Sequence, residues 1–447
     1  MKLKSVLATF LAATATISCF TACDGNNDNN TSDSEKKAGD KTTINWMDGR
    51  STQDYQIEAV ENYLVKPFEE SNSNIDVNFI PTPDITQVLK IQLAAGEGPD
   101  LMTLEGPSSV GNFSDRLVDM TEYVEEYNWD EIMFDWALES CKVDDKYMSI
   151  PNWYEAIIMW HNNDLMKEHG WEVPKTVNEL ETMCQEAQDA DLIPICYHTG
   201  GFIMGNDWAL SLWYSNYCGR DRVKQLLAGQ AKFTDEDFVA AIEMYNDWWQ
   251  KGYIGEKQTH AISNEDSQSL YYSGKSPIFF HTTAMIGQMK QNCTFDYGMD
   301  YYPKFNDELE SAVVPIACAG SLAINIISDV KDECAQYIDY IYRDTKNMAK
   351  GVEAGLSPFC TDIPTEDFSK DVDPMILQMK DIFAELEENP EMIGYCQWTF
   401  WPTATHEYQI NNIEKVFLGQ MTVQEFSEES QKVLDQDIAA GLVPTIP

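Results

Sequence analysis

The tightest constraint in this chain is a very short apolar run fenced by turn formers. In AAGEGPDLMTLEGPSSVGNF, residues 94–113, Leu101-Met102-Thr103-Leu104 follows Gly96, Gly98 and Pro99 and precedes Glu105-Gly106-Pro107. Upstream, Ile85, Val88, Leu89 and Leu93 recur at helical spacing, and Gly96 suits the left-handed residue that ends such a helix. Pro99 blocks further helix and favours extended chain before it. Four apolar-biased residues then read as a short strand, with Glu105-Gly106-Pro107-Ser108 as the turn at its carboxyl end and Ser108 or Ser109 capping the next helix. Earlier still, Thr43 to Met47 reads as a strand, Ile57, Val60 and Leu64 as a helix that Pro67 ends or kinks, and the alternation of Ile75, Val77 and Phe79 as a second strand. Strand, helix, strand, helix, strand opens a doubly wound α/β lobe. Ligands of such sheets sit beyond the carboxyl ends of the strands, so Asp48 and Arg50 after the first strand, and Glu105 and Ser108 after the third, are candidate ligand contacts.

A chain of 447 residues exceeds one typical domain, so two lobes are expected. Its beginning lies outside them. Lys2 and Lys4 precede an apolar run from Val6 to Phe20, then Thr21-Ala22-Cys23, which reads as a secretory signal (1–22) with a bacterial lipoprotein box and a lipidated Cys23. Residues 24–41 hold no large apolar side chain, so 23–41 is expected to be a flexible tether to the extracellular face of the cell membrane. No later stretch reaches the ~20 apolar residues that span a bilayer. The formal net charge of −44 repels phosphate backbones, which excludes nucleic acid as a natural partner. Beyond Cys19 and Cys23, nine cysteines are scattered from Cys141 to Cys396 without a C-x-x-C, and the six histidines show no H-x-x-x-H. Neither a disulfide framework nor a metal or cofactor is expected, and cysteines such as Cys184 and Cys334 read as small core hydrophobes.

Farther along, Glu155 to Trp160 reads as a strand and Asp164 to Gly170 as a short helix. Thr176 with Glu179 and Thr422 with Glu425 are capping boxes. Leu180, Met183, Cys184 and Ala187 form the apolar face of one helix, and Phe238, Ile242, Tyr245 and Trp249 that of another beginning near Thr234.

Four segments in order resemble one family. They are the small-Gly-x-x-Pro-Asp stretch with its strand (94–113), YEAIIMWHNNDLMKEHGWEVPKTVNELETMCQEA (154–187), YYSGKSPIFFHTTAM (271–285) and AGSLAINIISDVKDECAQYIDYIY (319–342). Together they are similar to the extracellular solute-binding proteins of ABC importers, in the branch that mostly takes up carbohydrates. The resemblance implies two lobes, each a doubly wound sheet with flanking helices, joined by a hinge of crossing strands. On that pattern 42–152 with 278–327 forms one lobe and 153–277 with 328–447 the other. It also implies a non-enzymatic receptor, expected to be a monomer, that closes on its ligand and delivers it to permease subunits served by a separate ATPase.

A sugar needs flat aromatic side chains for its C–H faces and polar groups for its hydroxyls. The resemblance puts cleft contacts at Trp153, Tyr154 and Glu155 in the first crossing, at His281 and Thr282 after the strand Pro277 to Phe280, and in the late aromatic loop of Trp398 and Trp401. Trp208 is a further candidate, although Trp208, Leu212 and Trp213 also fit one buried helical stripe. A polyol or polyamine stays open as ligand, since Asp48, Glu105 and Glu155 offer carboxylates. A surface glycoside hydrolase stays open too, because 74 acidic residues make chance carboxylate pairs unavoidable. Phosphate-loop, dinucleotide and nucleophile-elbow motifs fail: position 269 is Ser before Gly274-Lys275-Ser276, Leu101 stands where a third glycine is needed, and no G-x-S-x-G occurs.

Overall fold

The structure, a computed structural model, describes residues 41–447 apart from 50, 105, 201–203, 256–260, 445 and 447. Cys23, the signal and most of the tether, Arg50 and Glu105 therefore lie outside the described residues. So do the side chains of Pro107, Ser108 and Met204. Residues 41–447 form one compact unit.

Strand β1 (Thr42–Asp48) pairs in parallel with β2 (Ile75–Pro81) on one side and β3 (Leu101–Leu104) on the other. All four residues of β3 are buried, which explains a run with no polar alternation. Gly96 ends the preceding helix Ile85–Ala94 at φ 73°. Pro67 neither ends nor sharply breaks its helix. The chain runs helical from Asp54 to Ser71, and a π-turn over Glu61–Val65 lets the Lys66 N–H bond back to the Glu61 carbonyl. The wider turn accommodates a residue that has no N–H and would crowd the carbonyl four positions back. The helix after β3 begins at Gly106 and runs to Phe113, so Ser108 and Ser109 sit inside its first turn instead of capping it. Pro107 there sacrifices no hydrogen bond.

A small hairpin, β4 (Lys142–Val143) and β5 (Lys146–Tyr147), precedes the longest strand, β6 (Ile150–Asn162), which is buried throughout. The first half of β6 pairs antiparallel with β10 (Val314–Ile324), and the end of β10 pairs with β3. The second half of β6 pairs with β8 (Ile278–Thr282) and β9 (Tyr297–Asp300), and β8 pairs with β7 (Ile195–Cys196). β11 (Ile393–Tyr395) adds to the start of β10. The order is β2-β1-β3-β10-β6-β8-β7. Two sheets are thus welded by two long strands, and β6 at ~3.3 Å per residue reaches across both. The sequence division put 278–327 with the first lobe and 328–447 with the second. In the structure β8 bonds to the β7 side, and Tyr337 of the helix Lys331–Arg343 packs on Trp46 and Phe68 of the β1 side.

Both capping boxes form. Thr176 Oγ1 accepts from the Glu179 N–H at 3.2 Å and Glu179 returns the bond at 3.1 Å; Thr422 and Glu425 do the same. Each fixes the entry of a long helix, Val177–Asp189 and Val423–Ala439. The helix Glu236–Lys251 starts after Asp235 and buries Phe238, Ile242, Tyr245 and Trp249 as its periodicity requires. All nine described cysteines are free thiols, eight of them buried. Among the described residues no helix is long and apolar enough to cross a membrane.

The second sheet is covered by an aromatic core centred on Trp213, whose ring lies 4.4 Å from Tyr245, 5.4 Å from Trp248 and 5.1 Å from Phe305. Removing that ring leaves a cavity no neighbour can fill without rotating another aromatic. Trp213→Ala is expected to lower stability by about 3–5 kcal/mol, read as a reduced urea midpoint at unchanged slope.

Candidate functional site

The carboxyl ends of β1 and β8 border one region. At the end of β1, Asp48 has no exposed surface and its Oδ2 accepts the Ser51 N–H at 2.6 Å. The chain then turns at Gly49, where a Cβ would stand 2.4 Å from the Ile85 side chain. A cavity of about 250 Å³ is lined by Gly49, Thr52 and Tyr55 following β1 and by Thr283, Ala284 and Ile286 following β8. Glu155 of β6 is 6% exposed, and the neighbouring Ala156 N–H donates to Thr283 Oγ1 at 3.1 Å, tying the β8 end to the crossing strand.

On the second sheet, Trp208, His281 and His198 come together. The Trp208 ring stands edge-on to both imidazoles, 4.6 Å from His281 and 5.7 Å from His198. His198 follows β7, and Trp208 lies near the start of the helix Met204–Cys218. His281 and Thr282 are the last two residues of β8 and do not follow it, because the strand runs to Thr282. His281 Nδ1 accepts the Thr282 N–H at 2.9 Å, which fixes an unprotonated Nδ1, and His198 Nδ1 meets Ser267 Oγ at 3.0 Å. Burial pushes the His198 imidazole down to about 4, against a weak opposing pull from Glu265. Burial, with His198 adding, holds His281 well below its usual value. Both rings are therefore neutral hydrogen-bonding groups at neutral pH.

The short helix Gln397–Phe400 packs against the helix Met204–Cys218. The Gln397 N–H donates to Ser211 Oγ at 2.9 Å, Ser211 donates to Asp207 Oδ1 at 3.1 Å, and Asp207 Oδ2 lies 2.5 Å from His406 Nε2. The Gln397 amide is buried with neither its oxygen nor its nitrogen hydrogen-bonded, and Thr399 Oγ1 is likewise without a partner. Directly opposite stands Gly106, at φ 67°, where a Cβ would lie 3.4 Å from Thr399 Oγ1 and 3.2 Å from the Cys318 carbonyl. Only glycine admits that φ and that approach at once.

The other candidates sit elsewhere. Trp153 is 1% exposed against Phe359. Tyr154, on the face of β6 opposite Glu155, packs 3.7 Å from Phe383. Trp401 is in the core, stacked on Tyr214 at 5.6 Å and tilted against Phe233 at 5.7 Å, while Trp398 is half-buried. Trp208, Leu212 and Trp213 are all buried, so Trp208 belongs to the stripe and to the histidine cluster together. The sequence offers Asp207 beside Trp208 but favours Trp208 alone, and it does not single out His198, Gln397 or Thr399. Gln397 and Thr399 flank Trp398, and Asp207 precedes Trp208. Among the described residues no group of three His, Cys, Asp or Glu side chains is arranged to hold a metal ion.

Residues 63–375 match the model of a family described as bacterial extracellular solute-binding protein. The chain is 23% identical over 274 residues to the maltotriose-binding protein of Pyrococcus abyssi, covering 60% of this chain and 54% of that one. It is 24% identical over 296 residues to the galactooligosaccharide-binding protein of Bacillus subtilis, covering 62% and 64%. The aligned part thus spans little more than half the length of these curated relatives. Among solved structures it is similar to a chitin oligosaccharide binding protein, with a TM-score of 0.75 at 17% identity over 90% of this chain and all of the other. An ABC substrate-binding protein from Listeria monocytogenes in complex with cycloalternan gives 0.71 at 16% identity, over 90% of this chain and 100% of that one. The shared architecture is the two-lobed α/β fold.

Two measurements probe the site's energetics. Gln397→Leu replaces an unpaired buried amide by an apolar side chain of similar size and is expected to raise stability by about 1–2 kcal/mol in urea unfolding; a loss would mean the amide is satisfied. His198 is depressed from 6.5 to about 4, so its contribution is complete above pH 6.5 and lost as pH falls towards 4. His198→Asn is expected to remove up to about 1.4 kcal/mol per pH unit of acid sensitivity in that window relative to the parent chain.

Proposed function

Because the chain belongs to the bacterial extracellular solute-binding proteins, we propose that it is a receptor for a sugar or oligosaccharide, bound between its two lobes and handed to an ABC importer. The observation that carries this reading is the Trp208–His281–His198 cluster at the strand ends of the second sheet, together with the buried, unpaired Gln397 and Thr399 on the short helix that bonds to Ser211 of the Trp208 helix. An indole beside neutral imidazoles offers a face for sugar C–H groups, and an amide and a hydroxyl without partners match the donor and acceptor character of sugar hydroxyls. Neutral imidazoles can hydrogen-bond sugar hydroxyls without adding charge to the site. Relatives named for maltotriose and galactooligosaccharides point the same way.

In this reading the lobes follow the packing: β1–β3 with the helix Lys331–Arg343 form one, and β7–β9 with the helices covering Trp213 the other. They turn about β6 and β10 and close when the ligand binds the closed form more tightly than the open one. Cys23 carries the lipid that holds the protein at the extracellular face, the protein works as a monomer, and permease and ATPase are separate chains. It performs no chemistry on its cargo.

Calorimetric titration with maltotriose, a galacto-oligosaccharide, raffinose and spermidine tests this, with chromatography of the recovered ligand. An oligosaccharide is expected to bind and return intact, and Trp208→Ala to weaken it about tenfold or more without unfolding the chain. Tight binding of spermidine alone, or cleaved sugar in the recovered fraction, would sink the reading.

A further inference from the structure

A second cavity, of about 320 Å³, lies on the opposite face of β6 from Glu155. Tyr154 is one wall, Phe383 lies 3.7 Å from it and Phe134 5.8 Å, and Phe359 and Met379 continue the apolar lining. The frame is fixed: the Tyr154 N–H donates to the Pro358 carbonyl at 3.1 Å and the Cys360 N–H to the Asn152 carbonyl at 3.0 Å, so this loop runs as an added edge along β6. Of the polar groups that reach the space, the Thr361 hydroxyl donates to the Ile132 carbonyl, and Lys380 Nζ is engaged by Asp362 at 2.8 Å. Glu387 is different. Its Oε1 is buried and has no hydrogen-bond partner, while the Trp136 side chain hydrogen-bonds the carboxyl group.

We infer that this cavity is a binding site for a small organic cation, a primary or secondary amine on a flat or branched apolar body, with Glu387 as its counter-ion. A carboxylate among aromatic rings that has one indole partner and a second, buried oxygen left unpaired is costly. An ammonium group would bond Oε1, and the faces of Phe134, Tyr154 and Phe383 attract a cation through their quadrupoles. The charges facing Glu387 set the sign. Asp135 and Glu388 are acidic, the Tyr154 phenol and Cys360 thiol are held neutral by burial, and the cation Lys380 is already paired with Asp362. Burial, with Asp135 adding and the Trp136 hydrogen bond opposing, pushes the Glu387 carboxyl up to about 7, the response of an acid that lacks a cation. The volume stands at the small end of ligand sites, which limits the occupant to a compact molecule. A sugar has no charge for Glu387 and too little apolar surface for these walls, so the site is separate in chemistry as well as position from the cleft.

The test uses 2-phenylethylamine as probe, with 2-phenylethanol and phenylacetate as neutral and anionic counterparts of the same shape, titrated into the parent chain by calorimetry. The amine is expected to bind about tenfold or more tightly than the alcohol, and phenylacetate not to bind. Amine affinity is expected to rise from about pH 5.5 to about pH 8, as Glu387 ionises. Glu387→Gln should remove the amine's advantage while leaving the alcohol's affinity and any oligosaccharide binding in the cleft unchanged. Ala384→Trp, which fills the mouth of the cavity, should abolish both the amine and the alcohol. Equal binding of the three probes, amine binding that survives Glu387→Gln, or no amine binding at millimolar concentrations would each overturn the inference. Loss of oligosaccharide binding in the parent chain would bear only on the receptor reading.

Discussion

The antiparallel pairing of β6 with β10 is the interaction on which the remaining geometry depends. It runs from Ala156 opposite Ile316 to Ile150 opposite Leu322, and both strands continue past it, β10 to bond β3 and β6 to bond β8 and β9. Neither sheet is complete without a piece of these strands. Since the two sheets meet through them, the carboxyl ends of β1 and β3 are brought opposite those of β7 and β8, and Gly106 comes within van der Waals reach of Thr399. The register shifts between Cys318 and Ser321 fall at that approach, as expected where a strand must bend to serve two sheets. Alternation along β6 does the rest: Glu155 goes to one face and Tyr154 to the other, so one strand furnishes both the strand-end region and the aromatic cavity behind it.

How much of this the sequence could carry depends on which physical signal each element leaves. β3 was legible because Gly96, Pro99 and Gly106-Pro107 leave no room for anything longer, and the helix starts at Thr176 and Thr422 because a capping box is a local bond. β6 was read as Glu155 to Trp160 and extends from Ile150 to Asn162, because a strand buried on both faces has no alternation to mark its ends. Pro67 reads as a helix stop or kink, and spacing alone does not reveal the π-turn that carries the helix past it. Trp401 read as a loop aromatic. Its partners Tyr214 and Phe233 are far away in sequence, and spacing around Trp401 says nothing of them. Gln397 and Thr399 were illegible for the converse reason: nothing local tells a buried unpaired amide from a solvated one.

Charge is distributed against expectation in one respect. The chain carries a formal −44, yet the cluster around Trp208 is built from imidazoles kept neutral by burial, and the short helix bonded to the Trp208 helix adds an unpaired amide and hydroxyl. Surface acidity is screened within about 8–10 Å at physiological salt, so it governs solubility without dictating the chemistry of an interior region. An interior amide left unpaired is a cost to folding, and a chain retains such a cost most readily where function draws on it.

The same separation of interior from surface makes the pH response of the fold a contest between two buried sites. His198 and His281 are depressed, so the unfolded chain binds more protons than the native one as pH falls below 6.5, and acid removes stability. Glu387 is raised from 4.5 to about 7, so there the native chain binds more protons, and the same acid adds stability. The windows overlap between about pH 4.5 and 6.5, where the slopes oppose, and a shallow global pH profile would hide both. Only substitution at one site exposes the other. A cation seated on Glu387 would return that carboxyl towards its ordinary value, cancel its share of the contest, and leave the histidines to set a steeper acid limit for the whole fold.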